Sequence, residues 1–391
     1  MLASSSLAFP QSPCHSPAVT GGLKDDRRIV LFHPSVPGRA IDAVQDVLRG
    51  RWIGQGPRVD AFESAFRSYL GSSCAAVAVG AGTDALHLAY ILAGVGPEAE
   101  VVAPVFTCSA TNIPLLYQGA RIRFADIQPH SMNIDPNHVR DLVNERTRAI
   151  VCVHYGGLPC DMTELQRIAS ELGIPIIEDA AQALGASYHG VAVGDISDFT
   201  AFSFQALKHV TTGDGGMLMI RSPLFEAPAR RMRWFGIDRA EKLEDRWRGD
   251  ITEVGYKYQM NDIAAAMGLA GLEALDAALA HRRRLLQEYS RQLDRVADIE
   301  VIGGGDLPDR EHAAWLCTVR VPDAQDLRRK LEEHGIESAP VHYRNDGYSI
   351  FAKSRGSFPA MDALDGKYLV LPVHARVSLA DVERICAVIR S

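Results

Sequence analysis

Short apolar runs alternate with amphipathic segments along most of the chain after residue 27. Several of the apolar runs lack polar–apolar alternation, which is typical of strands in a sheet covered on both faces. The runs predict seven strands: Ala75–Val79, Val101–Val105, Arg121–Ile127, Ala149–His154, Ile174–Glu178, Phe199–Phe204 and Gly216–Arg221. Segments with helical spacing lie between them: Asp84–Leu92, Ser109–Tyr117, Pro136–Asn144 and Thr163–Leu172. In the third, Asp135 and Pro136 supply an N-cap and a first-turn proline.

Strand–helix alternation predicts an α/β fold with a mostly parallel sheet, which binds ligands at the carboxyl ends of its strands. The pattern changes near Ala270. A long helix at Leu272–Val296, a strand at Ala314–Val321 and helices at Ala324–His334 and Leu379–Ile389 predict a smaller α+β unit. The Arg282–Arg284 cluster in the long helix is interpreted as a solvated face.

The chain has 391 residues, which favours one large and one smaller domain. Residues 1–27 are rich in Ser and Pro, and we expect a disordered extension there. The predicted domains are a large one at 28–270 and a small C-terminal one at 271–391. A net charge of −7 argues against nucleic acid as the main partner.

No segment predicts a membrane span or a signal peptide. The longest apolar stretch, Ile263–Leu272, ends at Glu273, well short of the ~20 residues that a span needs. The N-terminus lacks a basic start and a sustained apolar run. The seven cysteines form no CxxC pair and no Cys/His cluster with zinc spacing, so we expect no metal site. A sparse, odd set of cysteines indicates a reducing compartment, and hence the cytoplasm.

Three strand ends carry candidate chemistry. After the strand that ends at Phe204, a turn presents Lys208 before a Gly-rich run; a buried lysine there would be a nucleophilic amine. The alternative for Lys208 is an ordinary surface charge. Asp179 follows the strand Ile174–Glu178 and could face a pyridine nitrogen, with Gln182 in a helical first turn beside it. The alternative for Asp179 is a helix N-cap. The run Ala81-Gly82-Thr83 opens a helix and predicts a phosphate cradle, or else ordinary N-capping by Thr83 or Asp84.

An amine, a carboxylate and an anion cradle at three strand ends together match what pyridoxal 5'-phosphate (PLP) requires. The segments that carry these groups, together with several others, resemble the DegT/DnrJ/EryC1/StrS sugar aminotransferases. The resemblance extends over about residues 28–390. The matching blocks follow the family's order: WIGQGPRVDAFESAF (Trp52–Phe66), GTDALHLA (Gly82–Ala89), the block around Thr107–Thr111, VHYGGLPCDM (Val153–Met162), EDAAQALGA, SFQALKHVTTGDGG, GIESAPVHY (Gly335–Tyr343) and LPVHARVSLADV (Leu371–Val382).

The resemblance implies the PLP-dependent transferase fold type I, a homodimer with active sites at the subunit interface, and PLP as cofactor. Lys208 would form the Schiff base and act as acid and base in the proton shift. Asp179 would pair with the pyridine nitrogen, and Gln182 would contact the ring hydroxyl. Gly82, Thr83 and Ser203 would hold the phosphate.

The chain departs from the family pattern at three places. Cys108 stands where the family often has an aromatic residue stacked on PLP, and Phe106 is a candidate replacement. Gln205 replaces the usual His. Lys257, in GYKYQM, replaces an Asn that reaches the partner subunit's phosphate; we expect it to cross the interface and bind there as a charge. The alternative is a solvent-facing lysine, or one paired with Glu253.

The resemblance implies amino transfer from L-glutamate or L-glutamine to a keto-deoxysugar nucleotide, in amino-sugar pathways of polysaccharides or antibiotics. The TTGDGG run resembles the 4-amino subgroup more than the 3-amino one. A cyclitol or aminohydroxybenzoate-type enzyme of the same family is an alternative. A sugar dehydratase is disfavoured, because relatives of that kind replace the lysine with histidine. A non-catalytic regulator on the same scaffold would need neither Lys208 nor Asp179.

Overall fold

The computed structural model describes residues 28–239, 248–305 and 307–391. The extension expected at residues 1–27 lies outside the described residues. The strands of the described part are, in chain order, β1 (Ala75–Val79), β2 (Glu100–Pro104), β3 (Phe106–Thr107), β4 (Arg121–Ala125), β5 (Thr147–Val153), β6 (Ile176–Asp179), β7 (Ser187–Tyr188), β8 (Val191–Ala192), β9 (Phe199–Ser203), β10 (Gly216–Ile220), β11 (Glu300–Val301), β12 (Arg310–Glu311), β13 (Cys317–Arg320), β14 (Tyr343–Arg344) and β15 (Tyr368–Leu371).

The helices of the same part are α1 (Gly38–Arg49), α2 (Pro57–Leu70), α3 (Gly82–Leu92), α4 (Ser109–Tyr117), α5 (Pro136–Leu142), α6 (Met162–Leu172), α7 (Glu226–Met232), α8 (Asp262–Glu273), α9 (Leu275–Leu293), α10 (Ala324–Glu333), α11 (Pro359–Leu364) and α12 (Leu379–Arg390). Short 3-10 segments lie at Tyr155–Gly157, Pro223–Phe225, Asn345–Gly347 and Ser349–Ser354. Asp135 caps α5 as predicted, because its side chain accepts a hydrogen bond from the amide of Asn137.

The seven strands predicted in the first part of the chain form one sheet, in the order β1-β10-β9-β6-β5-β2-β4. Its pairings are parallel except where β10 lies antiparallel between β1 and β9. Successive residues of β1 enter different cores: Val77 packs with α3 on one face, and Ala78 packs with α2 on the other. The sheet is therefore covered on both faces, which explains the missing alternation in its sequence.

A three-stranded sheet, β11-β13-β15, packs with α9, α10 and α12 around a third core. This agrees with the α+β pattern of the C-terminal sequence. Elements of the two halves also pair with each other: β14 lies beside β3, and Ile29 bridges to Ile336. The boundary at residues 270 and 271 stays a prediction.

The long helix predicted at Leu272–Val296 is present as α9, but it begins three residues later and ends three residues earlier, at Leu275 and Leu293. The chain forms α8 and then α9, with a break at Ala274 and a bend of 60° between the two helices. In α8 small residues lie directly against neighbouring side chains, and a Cβ on Gly268 would sit 2.6 Å from the Phe62 ring. The segment is apolar on every side and shows no helical face in its sequence. Its close packing against neighbouring side chains sets the direction of α8 separately from that of α9.

The interpretation of Arg282–Arg284 as a solvated face is wrong for two of the three residues. Arg282 is buried, and its guanidinium donates to the carbonyl of Val373 at 2.6 Å. Burial lowers the pKa of Arg282 to about 10. Arg283 donates to the carbonyl of Gly185, and only Arg284 is exposed. The cluster therefore ties α9 to the surrounding loops.

In the part of the chain that the structure describes, no single helix is both long enough and apolar enough to span a membrane; α8 and α9 together pass that test but are bent by 60°.

Candidate active site

A cavity of about 300 Å³ opens where β6 and β9 end and α3 and α4 begin. Seven of the eight residues named from the sequence line it: Gly82, Thr83, Cys108, Asp179, Gln182, Ser203 and Lys208. The parallel topology brings them together, since the carboxyl ends of parallel strands meet at one edge of the sheet. The eighth residue, Lys257, lies elsewhere.

Lys208 is in the loop between β9 and β10, and its Nζ lies 3.9 Å from the centroid of the Trp315 ring. Burial lowers the pKa of Lys208 to about 8, against the opposing effects of Asp179 and Cys108. A pKa of about 8 in place of 10.5 makes the neutral amine about 300-fold more abundant at pH 7. The loop thus presents a lysine suited to nucleophilic attack.

Asp179 is the last residue of β6, and its carboxylate is buried. One oxygen accepts a hydrogen bond from the Thr111 hydroxyl at 2.7 Å, and the other accepts one from the amide of Ala181 at 3.0 Å. Turns follow at residues 181–182 and 184–185 and no helix begins there, so the helix N-cap alternative for Asp179 and the helical turn expected at Gln182 are both wrong. The two donors fix the carboxylate at the cavity wall.

The buried side chain of Gln182 is held at both ends. Its Oε1 accepts a hydrogen bond from the amide of Gly156 at 2.7 Å, and its Nε2 lies 3.0 Å from Nε2 of His342. Because Oε1 is the acceptor, Nε2 must be the donor toward His342, which fixes that imidazole as an acceptor there. Burial and nearby Lys208 lower the pKa of His342 to about 3, consistent with a neutral ring.

The cradle at the start of α3 requires glycine. Helix α3 begins at Gly82, and its N-cap residue, Ala81, has no side chain that could cap it. Thr83 does not cap the helix, whereas the Asp84 carboxyl group accepts a hydrogen bond from the backbone of Ala81, so the capping alternative holds for Asp84. A Cβ on Gly82 would lie 2.8 Å from Cβ of Ser203 at the end of β9. The start of α3 thus lies directly against Ser203, and the first N–H groups of a helix favour anion binding.

The positions that depart from the family pattern have different surroundings. Cys108 is exposed at the N-cap of α4 and lines the cavity. Phe106 is buried against Tyr155 and Tyr368 and does not line the cavity, so it does not replace the missing aromatic residue. The exposed side chain of Gln205 accepts a hydrogen bond from the amide of Leu207 in the same loop.

Lys257 is exposed and does not line its own chain's cavity. Its backbone bridges to Trp234, and its Nζ lies 5.4 Å from the centroid of the Phe235 ring. The alternative partner, Glu253, instead pairs with Arg231 at 2.5 Å. The next residue, Tyr258, accepts a hydrogen bond from the amide of Gly80 at 2.7 Å, so the segment runs beside the cradle.

Sequence reasoning missed Trp315 and His342, which form one wall of the cavity. Their rings stack 6.1 Å apart, and Phe32 stacks on Trp315 at 5.9 Å. Lys208 and Trp315 are 107 positions apart along the chain, so no local motif links them. The GIESAPVHY block held the one available signal, because it contains His342.

The structure also gathers Cys152, His154 and Cys160 into a small buried cluster, whose potential ligand atoms lie within 4.8 Å of one another. The sequence spacing did not indicate this cluster. Both ring nitrogens of His154 already have partners: the amide of Cys160 at 3.1 Å and the carboxylate of Glu178 at 2.7 Å. In this arrangement the cluster anchors the end of β5 to β6.

Comparisons with known proteins show the family of the chain. The family model of the DegT/DnrJ/EryC1/StrS aminotransferases matches residues 35–390. GDP-perosamine synthase of Caulobacter vibrioides is 34% identical over 93% of this chain and 98% of its own. The dTDP-4-dehydro-2,3,6-trideoxy-D-glucose 4-aminotransferase of Saccharopolyspora spinosa is 30% identical over 91% of this chain and 94% of its own. Spr1654 of Streptococcus pneumoniae, solved in its PLP form, aligns with a TM-score of 0.86 at 25% identity, over 93% of this chain and 98% of that one.

Proposed function

This chain belongs to the DegT/DnrJ/EryC1/StrS aminotransferase family, and we propose that it transfers an amino group to the keto group of a deoxysugar nucleotide. It is a PLP-dependent aminotransferase. The observation that carries the proposal is that one cavity holds the Lys208 amine, the Asp179 carboxylate and the start of α3. These groups suit the aldehyde, the ring nitrogen and the phosphate of the cofactor.

The residues present fit PLP. At the cradle, a Cβ on Gly82 would strike Ser203, so the backbone alone approaches the phosphate position. At the other end, Asp179 is an oriented carboxylate whose two oxygens each keep capacity to accept a further hydrogen bond. When bound, PLP supplies a carbon that takes the amino group and a protonated ring that accepts the electrons of the broken C–H bond.

Each side chain then has a definite task. Lys208 Nζ would hold the cofactor, and the same amine would carry the proton during the transfer. The Asp179 carboxylate keeps a proton on the ring nitrogen. The second N–H of Gln182 Nε2 would be the group available to the ring hydroxyl, because Oε1 and the other N–H are already engaged. Gly82, Thr83 and Ser203 bind the phosphate.

We place the transfer at C4 of the sugar and take L-glutamate or L-glutamine as the donor. Support for C4 comes from the 4-aminotransferase of S. spinosa, at 30% identity, and from the TTGDGG run that precedes β10. A cyclitol or aminohydroxybenzoate acceptor is the second candidate within the same family. The cavity alone does not favour it.

We further propose a cytoplasmic homodimer in which Lys257 binds the partner subunit's cofactor phosphate. Large apolar side chains are exposed close together in sequence at Val36, Ile41, Leu48, Trp52 and Ile53, as expected of a protein–protein interface. The six cysteines in the described part of the chain are unpaired thiols, which suits a reducing compartment.

Single-turnover amination tests the proposed function. The enzyme is first converted to its amino form with L-glutamate or L-glutamine, freed of donor, and mixed with 4-keto or 3-keto deoxysugar nucleotides or with a cyclitol ketone. We expect the absorbance spectrum of the PLP form to reappear fastest with a 4-keto sugar nucleotide. Mass spectrometry should then detect the corresponding amino sugar nucleotide as the product. Faster reaction of the cyclitol, or no reaction with any keto sugar, would contradict the proposal.

A further inference from the structure

Trp315 is the aromatic side chain in contact with the Lys208 amine. It is buried, and Nζ of Lys208 lies 3.9 Å from its ring centroid. The ring is itself held in place, by Phe32 stacked at 5.9 Å with 26° between planes and by His342 stacked at 6.1 Å with 18° between planes. Its indole N–H donates to the carbonyl of Leu207 at 3.0 Å. The position and tilt of the ring are therefore set by the protein.

We propose that Trp315 is a positioning residue for Lys208: its ring face holds the protonated amine inside the cavity whenever that amine is not bonded to the cofactor. The inference rests on the proposed function of Lys208. An ammonium at this distance from an indole face is attracted by the ring quadrupole, and the attraction grows when water is excluded. A lysine so held keeps its proton within reach of the substrate and does not turn toward solvent.

The charged and titratable groups that face Lys208 come from several elements. Asp179 and Cys108 favour its protonated form, and burial disfavours it. Lys208 in turn disfavours protonation of His342 and His209, and both of these rings are buried. Asp179 is the carboxylate among these groups, and in the proposed function its negative charge interacts with the cofactor ring. Trp315 is then the contact that stabilises the ammonium independently of that charge.

The rival explanation is that Trp315 acts only through the backbone. Its N–H bond to Leu207 could fix the loop next to Lys208 without any contribution from the ring face. Two variants separate these roles, because Trp315→Phe and Trp315→Leu both lose the N–H bond, while only Trp315→Phe keeps an aromatic face. Trp234→Leu is the control, since it removes an aromatic ring that contacts Arg239 at 4.7 Å instead.

The pKa of Lys208 is measured in the cofactor-free protein by acetic anhydride labelling at a series of pH values, with peptide mass spectrometry. A lost cation–π contact should lower that pKa by about one unit in Trp315→Leu, and by less in Trp315→Phe. Trp234→Leu should match the parent. Equal shifts in both Trp315 variants would assign the effect to the Leu207 bond, and no shift in either would remove Trp315 from the account; both results overturn the proposal.

Ring-fluorinated tryptophan gives a version of the test that keeps the fold. Fluorine weakens the negative face of the indole but leaves its shape and its N–H in place. The pKa of Lys208 should fall stepwise with the number of fluorine atoms, and a constant pKa would overturn the proposal. The acetic anhydride measurement of the Lys208 pKa does not depend on turnover, so it tests the role of Trp315 separately from the proposed function. Failure of the proposed function would instead appear as cofactor attached to a lysine other than Lys208.

Discussion

Gly82→Ala tests the phosphate cradle, because the new methyl group has no room. Its Cβ would lie 2.8 Å from Cβ of Ser203, and 3.3 Å from both Cα of Ser203 and the carbonyl oxygen of Phe202. All three atoms belong to or adjoin the backbone of β9, so none can rotate away. Overpacking of this kind costs typically about 1–3 kcal/mol. Since the strain falls where α3 meets β9, we expect the PLP dissociation constant to rise about 10- to 100-fold.

Fluorescence titration of cofactor-free protein with PLP measures the effect, and two variants control it. Gly38→Ala is matched, because Gly38 also begins a helix but has nothing within 4 Å of its Cβ position; it should leave PLP affinity unchanged. Adding Ser203→Gly to Gly82→Ala removes the closest clashing atom. The double variant should bind PLP better than the sum of the two single losses predicts. Parent-like affinity in Gly82→Ala would refute the cradle.

Four further substitutions have definite expected outcomes. Lys208→Ala should leave the thermal melt intact and reduce transamination below a thousandth of the parent rate; greater residual turnover would contradict its role. Asp179→Asn should lower the rate of amino transfer more than PLP affinity, and equal losses would count against a role at the ring nitrogen. Lys257→Ala should weaken PLP affinity and loosen the dimer together in titration and sedimentation, whereas unchanged PLP affinity would mean a surface lysine. Burial raises the pKa of Asp84, in the first turn of α3, to about 6, so its charge is present above pH 6 and lost below it. Asp84→Asn should therefore strengthen PLP binding a few-fold, on the order of 2- to 5-fold, at pH 8 and not at pH 5, and an equal effect at both values would contradict this.

The sequence predicted the main sheet well because its strands are buried apolar runs. The predicted strand Ala75–Val79 coincides with β1, and Phe199–Phe204 exceeds β9 by one residue. The same signal failed at α8, because a segment that is apolar on every side shows no helical face. It also failed at Arg282, because sequence patterns treat a charge cluster as solvated, whereas here backbone carbonyls bind the guanidinium inside the protein.

Some residues of the candidate site could likewise be predicted from the sequence, and others could not. Lys208, Asp179 and Gly82 could be found because each lies at or shortly after the end of a strand, within a short motif. Trp315 could not, because its contact with Lys208 depends on how the C-terminal part of the chain packs over the cavity. The sequence singled out Lys257 as a departure from the family pattern but could not show its surroundings. In the structure its side chain is exposed and does not line the cavity of its own subunit.

The most direct test of the central claim is reductive trapping of the cofactor on the protein. Purified enzyme that absorbs near the visible edge is treated with borohydride, digested, and mapped by mass spectrometry. We predict that the band bleaches and that the pyridoxyl-phosphate mass appears on the peptide that carries Lys208. Attachment to a different lysine, or a protein that binds no PLP at all, would contradict the account.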